Sequence, residues 1–591
     1  MSLIDLGRRV LPRANARWLA DWWQGLEHAF EKAGADERVE NDTRFRMTIV
    51  AGAFTLLFAI LMIGAGKAAL FSGQVHERSG PAVLTLQRGD LTDRNGLLLA
   101  TNLPHYRLVI APNETVDRQF VHQAVLSALP ELSRAGRRRL DLVLTGEERG
   151  FIVGGLTDEQ RRRVHDLALG GLYFEEEDAR QYPLEDLGVH VIGFADQDGQ
   201  GITGVEAAFN DEIRQAGRRG QDVPLSIDLR VQGALESELE AVAADQQVIG
   251  AVGLVTNIRT GEVLAMASYP DFDPNQRAGT PQTNFINRAA GSVWEMGSTF
   301  KIFSIAAGLD SGAVRPDTVV DAAGGLRLGS RVINDFHAAN RAMTVEEVFT
   351  HSSNIGTSRI AAMMGGDALR SYYNELGLLD RLQIGLAEST APLVPSRWDA
   401  NTIASASFGH AIGVTPLQMA AGVGAIMNGG VYVPLTLRPV SDRSRIQGRR
   451  VVSARTSQEM LRLMRLNVTA GSGRRADVDG FSVGGKTGTA EKYANGRPDR
   501  TRVVSSFVSV FPTEGPADQD RYLVFILLDE PRGSAQSGGG RTAGLTVAPA
   551  VGRVIRRIGP FLGVRRQRTG EPTAEHLQPL SEVEGMTEAT R

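Results

Sequence analysis

The 591-residue sequence contains no cysteine, which excludes disulfides, thiolate nucleophiles and cysteine-ligated zinc. It also has no HExxH stretch or comparable ligand cluster, so no metal and no cofactor is expected. Charge of one sign is lacking too. A net charge of −4, with Lys and Arg scattered along the chain, gives no field to gather a polyanion, and nucleic acid is not an expected partner. No repeat recurs at a fixed period, which argues against a solenoid or propeller. What remains is ordinary globular material, 42% hydrophobic and 22% charged, in a chain long enough for several domains.

Long uncharged runs are scarce, and one stands out: "MTIVAGAFTLLFAILMIGAG", Met47 to Gly66. At a helical rise of about 1.5 Å per residue it reaches across a hydrocarbon core of roughly 30 Å. Arg44 and Arg46 precede it and Lys67 follows. A cleaved signal peptide has an apolar stretch of only about 7–15 residues, so an uncleaved signal anchor at 47–66 is expected, with residues 1–46 in the cytoplasm. Within that segment Trp18, Trp22, Leu26 and Phe30 recur every four residues, an amphipathic stripe suited to a membrane surface, to a partner, or to nothing in particular.

Beyond the anchor, alternating apolar residues flank Asn95-Gly96, a strong hairpin signal, with Tyr106, Leu108 and Ile110 on one strand face. Residues 67–225 read as a strand-containing module. Near "DVPLSIDLRVQGALESELEAVAADQQ" the pattern changes to a strand and a long helix, and a second domain, 226–562, is expected to begin there. "AVGLVTNIRTGEVLAMASYP" reads as a hairpin turning near Gly261. The tail, 563–591, is too polar to offset its ordering entropy and is expected to be disordered.

Three short stretches carry chemistry. In "EMGSTFKIFS" Ser298 stands at the start of an apolar helix with Lys301 one turn on. A helix start offers unpaired N–H groups to an alkoxide, and apolar surroundings lower the lysine's pKa so that it can take the serine's proton. Alone, a capping serine beside a surface lysine is the commoner arrangement. "MTVEEVFTHSSNIGTSRIAAMM" opens with Thr344 and Glu347 in capping-box spacing and breaks at Ser352-Ser353-Asn354. There the Ser352 hydroxyl could relay a proton and the Asn354 amide bind a peptide carbonyl. "FSVGGKTGTAEK" is a glycine-bounded strand. Lys486 and Thr487 could hold a carboxylate, Gly488 would let a substrate backbone lie flat, and the N–H of Thr489 with that of Ser298 would form an oxyanion hole. His410 is expected to be a satisfied structural histidine.

S-x-x-K, then S-x-N, then K-T-G is the motif order of penicillin-binding proteins and class A β-lactamases. The rest resembles the class B, monofunctional penicillin-binding proteins: "RGDLTDRNG" (88–96), "RQYP" (180–183), "GITGVE" ending at Glu206, and "FGHAIGVTPLQMAAG". The motif contexts resemble the septal, cell-division branch more than the elongation branch. The resemblance implies an α+β multidomain chain: a transmembrane helix, an elongated β-rich pedestal, and a transpeptidase domain whose antiparallel sheet is flanked by helices. It implies acyl transfer through a serine acyl-enzyme, with catalytic residues Ser298, Lys301, Ser352, Asn354 and Lys486 and substrate-binding residues Thr487, Gly488 and Thr489. Implied partners are peptidoglycan stem peptides, β-lactams as covalent inhibitors, the inner membrane, a membrane glycan polymerase and other division proteins. A β-lactamase or carboxypeptidase shares the three motifs, and a division scaffold or β-lactam sensor would keep the fold without the turnover.

Overall fold

A computed structural model of the chain describes residues 88–566, apart from 197–198, 330, 337 and 495–496, together with 24–25, 28, 47–59 and 61–62. The chain divides into two units, 1–83 and 84–591. In the first, 47–59 and 61–62 are helical with exposed side chains. Among the described residues no helix is long and apolar enough to cross a membrane. The anchor expected at Met47–Gly66 is therefore not seen as a span, and its remainder, the tryptophan stripe and the tail from 567 lie outside the described residues.

The second unit opens with a five-stranded sheet. Strand β1 (Leu91–Thr92) pairs antiparallel with β2 (Leu98–Ile110), which also pairs with β3 (Gly150–Leu156) and β4 (Leu172–Gln181), while β5 (Val223–Pro224) lies parallel to β1. The expected hairpin is present, but its turn is longer than an Asn-Gly pair. The Asp93 carboxylate accepts the backbone N–H of Asn95 (2.8 Å) and Leu97 (2.9 Å), and Gly96 takes a positive φ of 83°. Leu108 and Ile110 are fully buried and Tyr106 is half-buried, against helices Arg118–Ala128, Arg134–Thr145 and Asp158–His165. Each of these helices begins with a side-chain cap, from Asp117, Ser133 and Thr157.

The remainder is built on a second sheet of β6 (Gly250–Asn257), β7 (Val263–Tyr269), β8 (Gly484–Ala494), β9 (Arg497–Phe511) and β10 (Tyr522–Asp529), in spatial order β8-β9-β10-β6-β7 and antiparallel throughout. Its helices are α1 (Leu229–Gln246), α2 (Lys301–Asp310), α3 (Val345–Thr350), α4 (Asn354–Met364), α5 (Pro416–Met427), α6 (Ala454–Thr469) and α7 (Ala548–Ile558). Helices α1 and α7 pack on one face of the sheet. On the other, α5 rests on β6 and β10, α6 on β8, and α2 on α4, α5 and α6. This explains why the inner strands read as continuous apolar runs. In β10, Leu523, Phe525 and Leu527 enter one core while Val524, Ile526 and Leu528 enter the other. Burying each such side chain contributes about 1.5–3 kcal/mol, so the sheet is the main source of the domain's hydrophobic stabilisation. At the C-terminal end, Leu562 and Val564 pack against the α1/α7 core, so ordered packing continues just past the expected boundary at 562.

Candidate active site

Three segments far apart in sequence meet at the β8 edge of the second sheet. The first is the turn before α2. Gly297–Phe300 form a 3-10 turn that leads into α2, and the Lys301–Gly308 stretch of that helix is entirely buried. Ser298, half-buried, is the second residue of this turn. The turn sits close because two glycines remove side chains. A Cβ on Gly297 (φ +56°) would lie 2.6 Å from the Thr489 carbonyl oxygen, and one on Gly409 (φ +82°) would lie 2.2 Å from that of Gly297. Backbone carbonyls cannot swing aside as a flexible side chain can, so both positions require glycine.

The second segment is the α3–α4 junction. The capping box of Thr344 and Glu347 opens α3 as expected. Ser352 then takes φ +60°, a left-handed conformation costing a non-glycine residue about 1 kcal/mol or more. This turns its hydroxyl between two amines. Lys301 Nζ lies 3.2 Å from Ser352 Oγ, and Lys486 Nζ donates to the same oxygen at 3.0 Å. The third segment is β8 itself, which brings Lys486 in from the sheet edge.

Lys301 Nζ has four neighbours: Ser298 Oγ at 2.8 Å, the Ser352 carbonyl oxygen at 2.9 Å, Asn354 Oδ1 at 2.7 Å, and Ser352 Oγ. Two of them, the carbonyl and the amide oxygen, can only accept. A neutral amine has two N–H groups and one lone pair. With both N–H groups given to those acceptors, the lone pair is left facing the Ser298 hydroxyl. The surroundings favour the neutral form. Lys301 is fully buried, its pKa is held well below the ordinary lysine value by loss of solvation and then by repulsion from Lys486, and only Asp335 opposes this. Lys486, also fully buried, is lowered to about 7 by loss of solvation. The ring of Phe408 lies 5.9 Å from Lys301 Nζ and that of Phe349 5.8 Å from Lys486 Nζ.

The remaining predicted residues take places the sequence reading did not fully anticipate. Thr487 shares a hydrogen bond of 2.7 Å with Ser472, and the Thr489 hydroxyl accepts from the Ala543 N–H at 3.3 Å. Gly488 faces inward. A Cβ there would meet the Met296 carbonyl oxygen at 2.5 Å and Thr299 Cγ2 at 2.8 Å. Packing of β8 on the Ser298 turn therefore demands a glycine at this position. His410 is half-buried and its Nδ1 meets Glu295 Oε2 at 3.0 Å, while Glu295 Oε1 accepts from the Ala411 N–H at 2.9 Å. That pair holds the segment carrying Gly409. Sequence reasoning missed Glu295, although it stands in the quoted "EMGSTFK". It also missed Asp335, for which no spacing gave a signal.

Among the described residues no group of His, Asp or Glu is arranged to hold a metal ion. Strand β8 is an edge of the sheet, so one side of its backbone is left unpaired by the ladder, a template for an extended peptide. The arrangement as a whole offers a hydroxyl facing a lone pair, a second amine and hydroxyl able to pass protons, and backbone N–H groups at a helix start beside an open strand edge. That suits nucleophilic acyl transfer.

Residues 251–552 match the family described as the penicillin binding protein transpeptidase domain, and 84–224 match the penicillin-binding protein dimerisation domain. The chain is 47% identical to the probable peptidoglycan D,D-transpeptidase FtsI of Caulobacter vibrioides, over 96% of this chain and 97% of that one. It is 28% identical to the peptidoglycan D,D-transpeptidase FtsI of Escherichia coli K12, over 92% and 95%. Among solved structures it resembles penicillin binding protein 3 from Mycobacterium tuberculosis complexed with aztreonam, with a TM-score of 0.62 and 25% identity over 81% of this chain and 97% of that one.

Proposed function

Because the chain belongs to the penicillin-binding proteins, we propose that it is a septal peptidoglycan D,D-transpeptidase in which Ser298 is the nucleophile and Lys301 its base. The observation that carries this is the buried Lys301 Nζ, 2.8 Å from Ser298 Oγ and within 2.9 Å of the Ser352 carbonyl and 2.7 Å of the Asn354 amide oxygen; a neutral amine that gives its two N–H groups to those two acceptors turns its lone pair to Ser298. Ser298 Oγ attacks the carbonyl carbon of a D-Ala-D-Ala bond and its proton passes to Lys301. The backbone N–H groups of Ser298 and Thr489 stabilise the oxyanion. The C–N bond breaks as the Ser352 hydroxyl delivers a proton to the departing D-alanine amine, Ser352 being resupplied from Lys301 or Lys486. An amine from a second stem peptide then attacks the ester, loses its proton to the same relay, and returns Ser298 to its hydroxyl form. Lys486 and Thr487 hold the donor's terminal carboxylate and Asn354 a donor carbonyl, with the donor running along the β8 edge.

A β-lactam presents the same terminus and acylates Ser298, but its leaving group stays tethered and deacylation is slow. Residues 67–225 form the pedestal and 226–562 the transpeptidase domain of an enzyme that works at the inner membrane of the division site. The uncharged run Met47–Gly66 supports an anchor there, with the catalytic domain periplasmic, residues 1–46 cytoplasmic, and a membrane glycan polymerase and other division proteins as partners. Labelling membranes with a fluorescent penicillin tests the core of this. Wild type is expected to label covalently and Ser298→Ala not at all, and a labelled alanine variant would remove Ser298 as the nucleophile.

A further inference from the structure

Asp335 lies outside all three motifs, in the loop between the short strands Arg331–Ile333 and Ala342–Thr344. Its carboxylate takes three donors. Oδ2 accepts the Ser353 hydroxyl at 2.6 Å, and Oδ1 accepts the backbone N–H groups of Asn354 at 2.6 Å and Ile355 at 3.0 Å. Those N–H groups open α4, where a negative charge is favoured by the helix end. The helix already has a cap, since Ser353 Oγ accepts from the Gly356 N–H, so the aspartate is not needed to start it. What it adds is a grip on the catalytic segment. The preceding residue completes that grip: the Asn334 carbonyl accepts from Asn354 Nδ2 at 3.0 Å. With its Nδ2 so engaged, the Asn354 side chain must present Oδ1 to Lys301.

We infer that Asp335 is a positioning residue for acyl transfer: it clamps Ser353 and the Asn354 backbone so that Ser352 and Asn354 present their oxygens to Lys301, and its charge opposes that of Lys486 there. Without the clamp, the strained Ser352 backbone is free to relax and both acceptors of the Lys301 N–H groups move. The charged groups bearing on Lys301 are Lys486 from β8 and Asp335 from this loop. Nearby, Glu295 and His410 pair with each other, and His351 at the end of α3 is exposed. The inference rests on reading Ser298 and Lys301 as nucleophile and base.

The test is the rate constant for acylation by a fluorescent penicillin, measured across pH for the full-length protein in detergent. The base must be neutral, so the rate rises with pH through the Lys301 pKa. Asp335→Asn removes a negative charge that favours the ammonium form, and the acid limb is expected to move to lower pH by on the order of half a unit. The plateau is expected to fall about tenfold to a hundredfold through misplacement. A purely structural aspartate would lower the amplitude and leave the limb in place, and that result overturns the charge role. Ser353→Ala keeps the charge but removes one arm of the clamp. Several-fold slower acylation with the limb at its wild-type pH is expected, and wild-type acylation would overturn the clamp. Failure of the Ser298→Ala test would instead overturn the underlying reading and is seen separately, as retained labelling.

Discussion

The pedestal and the transpeptidase domain both bury cations, and they treat them in opposite ways. In the pedestal, Arg88 and Arg180 are 3% and 9% exposed and both reach the fully buried Glu206. Arg88 pairs with Glu206 Oε2, Arg180 donates to Oε1 at 2.7 Å, and Arg88 also donates to the Gly199 carbonyl and to Asn210. The two guanidinium groups there share one carboxylate. In the active site, Lys301 and Lys486 are as deeply buried, but their direct hydrogen-bond partners are hydroxyls, carbonyls and an amide. A guanidinium cannot give up its proton in a protein, so at Arg88 and Arg180 its charge is met by a carboxylate, whereas an amine can meet burial by becoming neutral. The pedestal uses buried charge as an anchor. In the proposed mechanism the active site uses the same burial to make a base.

Removing the central group of each region should break the contrast in different measurements. Lys301→Met is expected to lower the acylation rate by about a thousandfold or more, the scale of a lost general base, while the unfolding free energy stays within about 1 kcal/mol of wild type. Penicillin acylation together with urea unfolding checks both halves, and a large loss of stability would show that Lys301 is held as an anchor after all. Glu206→Gln is expected to do the reverse. It strands two buried guanidinium groups and should cost about 3–5 kcal/mol in urea unfolding, with the acylation rate of the folded fraction unchanged. The smallest effect concerns pH. Lys486 has a folded pKa of about 7, below its ordinary value, so between pH 7 and about 10 the unfolded chain binds the extra proton. Stability should therefore rise with pH across that window, the penalty being fully present below it. Lys486→Met is expected to flatten that rise in melts taken between pH 7 and 9.5, and an unchanged slope would mean that Lys486 keeps its charge in the fold.

The three motifs were legible because each is local. Ser298 and Lys301 are one helical turn apart, Ser352 and Asn354 flank a break announced by a capping box, and Lys486 to Thr489 lie on one strand. The hairpins at Gly96 and Gly261 were legible for the same reason, as short-range backbone geometry. The Asp93-centred turn, the inward-facing Gly488 and the Glu295–His410 pair were not, because each depends on what a distant segment places opposite. Asp335 shows this most clearly. Nothing in "RVINDFHAAN" marks it, and its meaning comes only from meeting the start of α4.

By itself the sequence determined which groups were available and how each was oriented within a turn or two: a serine at a helix start, lysines in apolar surroundings, Arg88, Arg180 and Glu206 in separate short motifs. Only the tertiary structure decided which buried cations would meet a carboxylate and which would meet neutral oxygens alone. Desolvation and charge pairing act through space between segments up to hundreds of residues apart, and no spacing along the chain records them.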